Sequence, residues 1–175
     1  GIIIDDNKNT QHPGVPAYTG RTLVCNNLCF NNGGTGAHSY SSANVDFVNN
    51  IAYFNNRSLA LDSGEIIANE STNVRFHNNI SYARAGKSAQ KEWRNVNITS
   101  RNNPYFNGSV ASPGNNSLYA DPKFINPTTD PEACNFRSMT GSPSRGTGTM
   151  LLAPKLDLDG NLRPTALIDR GSYQA

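Results

Sequence analysis

The chain has 175 residues, few charged side chains (16%) and a formal net charge of +2. This length suits one domain with a hydrophobic core. Lys and Arg are scattered rather than gathered in a basic stripe, which disfavours a nucleic-acid-binding protein. No apolar stretch is long enough to predict a membrane-spanning helix. Asparagine occurs 25 times, beside 15 glycines and 10 prolines, a composition that disfavours helices and favours short strands joined by turns.

An Asn-Asn pair recurs between short apolar runs, at intervals of 23, 29 and 24 residues. Such a period indicates a solenoid, in which each repeat buries its apolar face by stacking on its neighbours. Asparagine tolerates the left-handed backbone of a tight corner, and its amide can bond to the equivalent amide one repeat away. We therefore predict that two columns of asparagines stack at one corner of a coil. The pairs are Asn26-Asn27, Asn49-Asn50, Asn78-Asn79 and Asn102-Asn103.

Apolar residues alternate with period two on both sides of each pair, which predicts two strands per repeat. A third strand is predicted at residues 1–5, 36–40 and 65–69. The sequence thus predicts an all-β parallel β-helix with three short strands per repeat over residues 1–108. Residues 109–175 are predicted to form an irregular closing segment packed on the coil. The inward residues predicted after the pairs are Leu28/Phe30, Ile51/Tyr53, Ile80/Tyr82 and Pro104/Phe106.

The closing segment contains YADPKFINP (119–127), NFRSMTGSPSRGTG (135–148), DLDGNLRP (157–164) and IDRGSYQ (168–174). With the N-N-[IL]-x-[YF] corners, these motifs resemble the right-handed parallel β-helix proteins of the pectate-lyase-like superfamily. The resemblance implies a secreted or periplasmic protein that acts on a polysaccharide along the outside of one sheet. It does not fix the reaction, because the same coil carries lyases, hydrolases, epimerases and non-catalytic proteins.

The outward residues of the first strand are the candidates for such a site. They are predicted to be Ile3, Asp5, His38, Tyr40, Ile67 and Asn69, with Lys91 one repeat further.

Asp5, Asp6 and Asn9 offer the oxygen ligands that suit a calcium ion, although D-D-N-K equally suits the start of a turn. The resemblance implies that calcium would neutralise a uronate carboxylate while a base removes the neighbouring C5 proton. Lys8 and Lys91 are candidates for that base, and His38 is a candidate base or acid near neutral pH.

Tyr40, Asn69 and Arg57 are candidate substrate contacts, with Arg57 a further candidate base. His38 and Tyr40 could equally form a sugar-stacking surface.

Three functions remain open on the sequence alone. The first is a lyase that cleaves a uronate-containing polysaccharide by metal-assisted β-elimination. The second is a glycoside hydrolase, which needs two carboxylates facing one groove. The third is a non-catalytic carbohydrate-binding or structural coil. The carboxylates available to a hydrolase are Asp5, Asp6, Asp46, Glu65 and Glu70.

Two further expectations concern the beginning of the chain and its buried thiols. Gly1–Ile4 is predicted to form an uncapped strand, so we expect missing N-terminal rungs or a partner chain pairing at residues 1–5. The three cysteines lack metal-site spacing and are predicted to be half-buried, with at most one bridge from Cys134. His77 is predicted to face solvent.

Overall fold

The computed structural model of the protein describes residues 1–175 and contains sixteen β-strands and no α-helix. In chain order the strands are β1 (Ile2–Asp5), β2 (Thr22–Cys25), β3 (Leu28–Phe30), β4 (Ala37–Tyr40), β5 (Ala43–Val48), β6 (Ile51–Tyr53), β7 (Gly64–Asn69), β8 (Thr72–His77), β9 (Ile80–Tyr82), β10 (Ser88–Trp93), β11 (Val96–Arg101), β12 (Pro104–Phe106), β13 (Ser109–Val110), β14 (Leu118–Tyr119), β15 (Phe124–Asn126) and β16 (Asn135–Ser138).

The first fourteen strands form three parallel sheets, which take every third strand of the chain up to β13, while β14 joins the third sheet. Sheet A has the order β1-β4-β7-β10-β13, sheet B has β2-β5-β8-β11, and sheet C has β3-β6-β9-β12-β14. The chain therefore passes once around a coil for every three strands, which confirms the predicted parallel β-helix. The strands β1, β2 and β3 are edge strands, and the pairing of further rungs or a partner chain there stays a prediction.

The coil extends past the predicted boundary at residue 108, because β13 still pairs in sheet A and β14 in sheet C. The remaining residues, 120–175, are called the tail below. They contain the only antiparallel pair, β15 with β16.

The second asparagine of each pair forms a ladder inside the coil, as predicted. The backbone N–H and side-chain Nδ2 of Asn27 both donate to Asn50 Oδ1, at 3.0 and 2.9 Å. Asn50 donates in the same way to Asn79 Oδ1, at 3.1 and 2.9 Å, and Asn79 to Asn103 Oδ1, at 2.8 and 3.3 Å. Each ladder amide thus satisfies a buried backbone donor that no water reaches.

The first asparagine of each pair makes the corner, as predicted, but does not form the predicted continuous ladder. All four adopt a left-handed backbone, with φ of 54 to 56°, and so make the corner itself. Their side chains point outward and bind the tail: Asn49 Nδ2 donates to the carbonyls of Asp169 and Gly171, and Asn102 Nδ2 to that of Thr147. Only Asn78 also donates to its neighbour in the column, Asn49 Oδ1, at 3.1 Å.

The predicted facing of sheet C is wrong, since the residues expected inside lie outside. Ala52 packs in the core of the coil, whereas Ile51 and Tyr53 pack outward against Phe124 and Phe136 of the tail. The cause is that only one asparagine makes the corner. The second already belongs to the next strand and points inward, so the alternation resumes one residue earlier than expected.

The protein consequently has two main apolar cores, beside a smaller cluster of Ala83, Ala89 and Tyr105. One fills the coil between sheets A and B and contains Val45, Phe47, Ile66, Val74 and Phe76. The other lies between the outer face of sheet C and the tail. It consists of Ile51, Tyr53, Ile80, Phe124 and Phe136. All three cysteines are free thiols, so packing rather than a disulfide holds the tail on the coil.

Replacing Asn50 by Leu should lower the free energy of unfolding by about 1–3 kcal/mol, because the buried donor of Asn27 loses its acceptor. Chemical denaturation would measure the change. Asn115→Leu is a matched control, since Asn115 is exposed and its side chain makes no hydrogen bond. Equal stability of Asn50→Leu and the control would contradict the ladder.

Phe136→Ala should cost about 3–5 kcal/mol of stability, as expected for truncating a buried aromatic side chain. Phe136 is 2% exposed and contacts the rings of Phe30, Tyr53 and Phe124. Ile125→Ala, at a neighbouring position that is 52% exposed, is the control and should change stability little. A loss below 1 kcal/mol in Phe136→Ala would show that the second core adds little to stability.

Candidate functional site

The outer face of sheet A carries most of the predicted site residues in two adjacent columns. Strand register places Ile3, His38, Ile67 and Lys91 in one column. It places Asp5, Tyr40, Asn69 and Trp93 in the other. Lys91 therefore follows Ile67 as predicted from the sequence.

The tail leaves this face open, because it packs on sheets B and C. The ends of the columns are exposed, with Ile3 at 54% and Trp93 at 48%, whereas Ile67, next to His38, is only 3% exposed. By contrast, His77 on sheet B is only 2% exposed, and its Nδ1 lies 3.3 Å from the carbonyl oxygen of Leu151. The prediction that His77 faces solvent is wrong, because the tail crosses its column.

His38 is the titratable ring at the centre of the open face. Its ring centroid lies 5.7 Å from that of Tyr40. Burial lowers the pKa of His38, and the nearby Asp5 carboxylate opposes this effect. The imidazole is therefore mainly neutral at pH 7 and able to accept a proton.

Two polar atoms on this face are buried without a hydrogen-bond partner, His38 Nε2 and Asn69 Oδ1. Such groups are uncommon in folded proteins, but six further side-chain atoms of this protein, among them Ser81 Oγ and Asn102 Oδ1, also lack a partner. Because nothing in the protein bonds to His38 Nε2, the tautomer of this ring is left free.

The two lysines proposed as bases are both held by protein acceptors. Lys91 forms an ion pair with the carboxylate of Asp62, and Lys8 Nζ donates to the carbonyl oxygen of Glu70 at 2.6 Å. Either lysine would have to leave its partner before taking a proton from a substrate. The geometry therefore favours His38 as the base.

The predicted metal ligands do not come together as a cation site. Asp6 forms the corner of the first rung, with φ of 45°, and its carboxylate accepts bonds from Thr10 N at 2.7 Å and Gln11 N at 3.0 Å. The Thr10 hydroxyl, which also donates to this carboxylate, is the main cause of the lowered pKa of Asp6. Asn9 Nδ2 is bound to the carbonyls of Val15 and Pro16.

Asp5 is thus the one predicted ligand whose carboxylate is free of hydrogen bonds. No group of three or more His, Cys, Asp and Glu side chains gathers anywhere in the protein. This donor set does not fit a calcium site made by the protein alone. Calcium stays a prediction that chelation must test.

Most carboxylates considered for a hydrolase are also committed elsewhere. Asp46 is 4% exposed on sheet B and is bound by Arg21 and Arg75, at 2.7 and 2.5 Å. Asp6 holds its loop, and Glu65 is fully buried. Only Asp5 and Glu70 remain near the open face, two strands apart, or about 10 Å along the coil. An inverting hydrolase needs a separation of roughly 6.5–9.5 Å between its two catalytic carboxyl groups.

Arg57, the remaining predicted contact, lies away from His38. It is exposed in the loop between β6 and β7 and lines a cavity with Arg84 at the corner between sheets C and A. The structure therefore does not bring Arg57 together with Tyr40 and Asn69.

Glu65 has a role that the sequence did not reveal. Its carboxylate accepts bonds from Asn55 N at 2.9 Å and Asn55 Nδ2 at 2.6 Å, just as Asn55 Oδ1 accepts from the two nitrogens of Asn32. It thus replaces the next amide of a second ladder. Burial raises the pKa of Glu65 to about 8, against the opposing effect of the Asn55 bonds and Arg84.

A pKa of about 8 against an ordinary value of 4.5 means that folded Glu65 holds a proton that the unfolded chain releases. The free energy of unfolding should therefore fall as pH rises between these values and change no further above them. Glu65→Gln, which cannot ionise, should lack this part of the slope. Denaturation of both proteins from pH 4 to 9 would measure it, and identical slopes would contradict the assignment.

Comparisons with known proteins do not assign a function to this site. No protein-family model matches the chain, and no curated protein matches it significantly. The structure contains no helix with the length and apolar character needed to cross a membrane.

Proposed function

We propose that the protein binds a uronate-containing polysaccharide along the outer face of sheet A and cleaves it by β-elimination. The observation that carries this proposal is the grouping of His38, Tyr40 and Asn69 in adjacent columns on the outer face of sheet A, which the tail does not cover. A secreted or periplasmic location, where such polymers occur, accompanies the proposal.

The shape of the face supports a linear ligand. A polymer lying across parallel strands meets a new side chain of the same column about every 4.8 Å. Four rungs contribute to each column. The two columns combine apolar, aromatic, amide and charged side chains, which suits a ligand with apolar ring faces, hydroxyls and carboxylates.

In the proposed reaction, the neutral His38 imidazole takes the proton from C5 of a uronate residue. Electrons of the broken C–H bond form the C4–C5 double bond, and the C4–O bond breaks. The Tyr40 hydroxyl, beside His38, gives its proton to the departing oxygen. Asn69 and Lys91 contact the substrate hydroxyls and carboxylate.

His38→Ala and Tyr40→Phe should each reduce cleavage of a polyuronate at least 100-fold, the usual lower range for loss of an acid or base. The product should be detected by the ultraviolet absorbance of its double bond, with and without a chelator. His12→Ala is the matched control, because the His12 side chain is 73% exposed in a loop and its one charged neighbour is Asp6, at 3.8 Å.

Each alternative outcome identifies a different function. New reducing ends without the absorbance would indicate a hydrolase. Polymer binding without either product would indicate a non-catalytic coil. Activity that falls with the chelator and returns with calcium, but not in Asp5→Ala, would establish the metal.

A further inference from the structure

A cavity of about 250 Å³ opens at the corner between sheets C and A. Its lining consists of Asn31, Phe54, Arg57, Arg84 and Thr129. Thr129 comes from the tail and the others follow β3, β6 and β9, so four parts of the chain build this cavity. None of the residues of the two outer columns of sheet A belongs to it.

Arg57 and Arg84 bring two unpaired guanidinium groups to this one cavity. Neither Arg57 nor Arg84 makes an ion pair. By contrast, Arg21 and Arg75 of the coil both bind the Asp46 carboxylate. No acidic side chain lines the cavity. Glu65 lies near Arg84, but it is fully buried and bonded to Asn55.

Two like charges facing one cavity repel each other unless an anion lies between them. The flat guanidinium fork matches the two oxygens of a carboxylate. The charge arrangement thus indicates an anionic ligand, and the fork geometry suits a carboxylate.

Phe54 adds an apolar surface to the cavity at a conformational cost. It has φ of 51°, at the corner position that Asn31 occupies in the preceding rung with φ of 59°. A bulky residue is rare in this left-handed region, where asparagine is common. The ring of Phe54 is held by stacking on Tyr53 at 4.3 Å and by an edge contact with Tyr82 at 5.4 Å.

We propose that this cavity is a second sugar-binding site, which holds one uronate residue. Arg57 and Arg84 bind its carboxylate, and Phe54 packs against the apolar face of its ring. The identification of the acid as a sugar rests on the proposed function above. The site itself is separate from His38, so the two proposals can fail independently.

Calorimetry with a uronic-acid trisaccharide, and with the corresponding neutral trisaccharide, tests the proposal. Wild-type protein should bind two molecules of the uronic-acid trisaccharide. The neutral trisaccharide should not bind at the arginine site. Arg57→Gln and Arg84→Gln should each weaken one of the two sites at least tenfold. Arg101→Gln is the matched control, since Arg101 is also exposed and unpaired but lies on sheet B.

Two further variants separate the outcomes. His38→Ala should abolish cleavage and leave the arginine site unchanged. Phe54→Asn, which keeps a residue suited to the corner, should fold and weaken the same site as the arginine variants. If both arginine variants bind two ligands with wild-type affinity, the second site does not exist, whatever happens at His38. If wild type binds a single ligand that the arginine variants lose, the second site stands and the proposed function fails.

Discussion

The paired hydrogen bonds from one corner asparagine to the next are the interaction on which this fold depends. A backbone N–H and a side-chain N–H of one rung share the Oδ1 atom of the following rung, as Asn50 does with Asn79. Each bond satisfies a donor inside the coil and fixes the register of the strands that follow. Other corners use other acceptors in the same geometry: Ser71 Oγ accepts from Ser42 N, and Glu65 from Asn55. The fold requires a hydrogen-bond acceptor at this position of the next rung, and an amide, a hydroxyl or a carboxylate can each provide it.

The sequence predicted the coil because the asparagine period and the period-two alternation are both local patterns. The predicted facing of sheet C was wrong. A corner of one asparagine and a corner of two differ by a single residue, and this difference moves every side chain of the following strand to the opposite face. The sequence pattern places the larger apolar residues, such as Ile51 and Tyr53, inside the coil, whereas the residue that lies there is Ala52. What decides between them is the tail, whose Phe124 and Phe136 come from a distant part of the chain. No local pattern records that contact.

In the candidate site too, features set by local patterns could be predicted, and features set by distant parts of the chain could not. Register passes from rung to rung, so the placement of His38, Tyr40, Asn69 and Lys91 on one face could be predicted. The bonds that each side chain makes could not, because they depend on loops. Asp6 illustrates this point. It stands at the same corner as Ser41, Glu70 and Arg94, all with positive φ, so the corner accepts many residue types, and an acidic residue there need not bind a metal.

The placement of charge explains how a chain with a net charge of only +2 can be suited to a polyanion. Many of its cations are neutralised locally: Asp46 binds Arg21 and Arg75, and Asp159 binds Arg137. The tail also buries Arg163 and Arg170, each 4% exposed. Among the cations that make no ion pair, Arg57 and Arg84 line one cavity at the corner that leads into sheet A. An anionic polymer is attracted by the local field of such a site rather than by the net charge of the whole protein. The tail therefore covers sheets B and C but not sheet A, and the two arginines of the cavity add a local attraction for an anion beside that uncovered face.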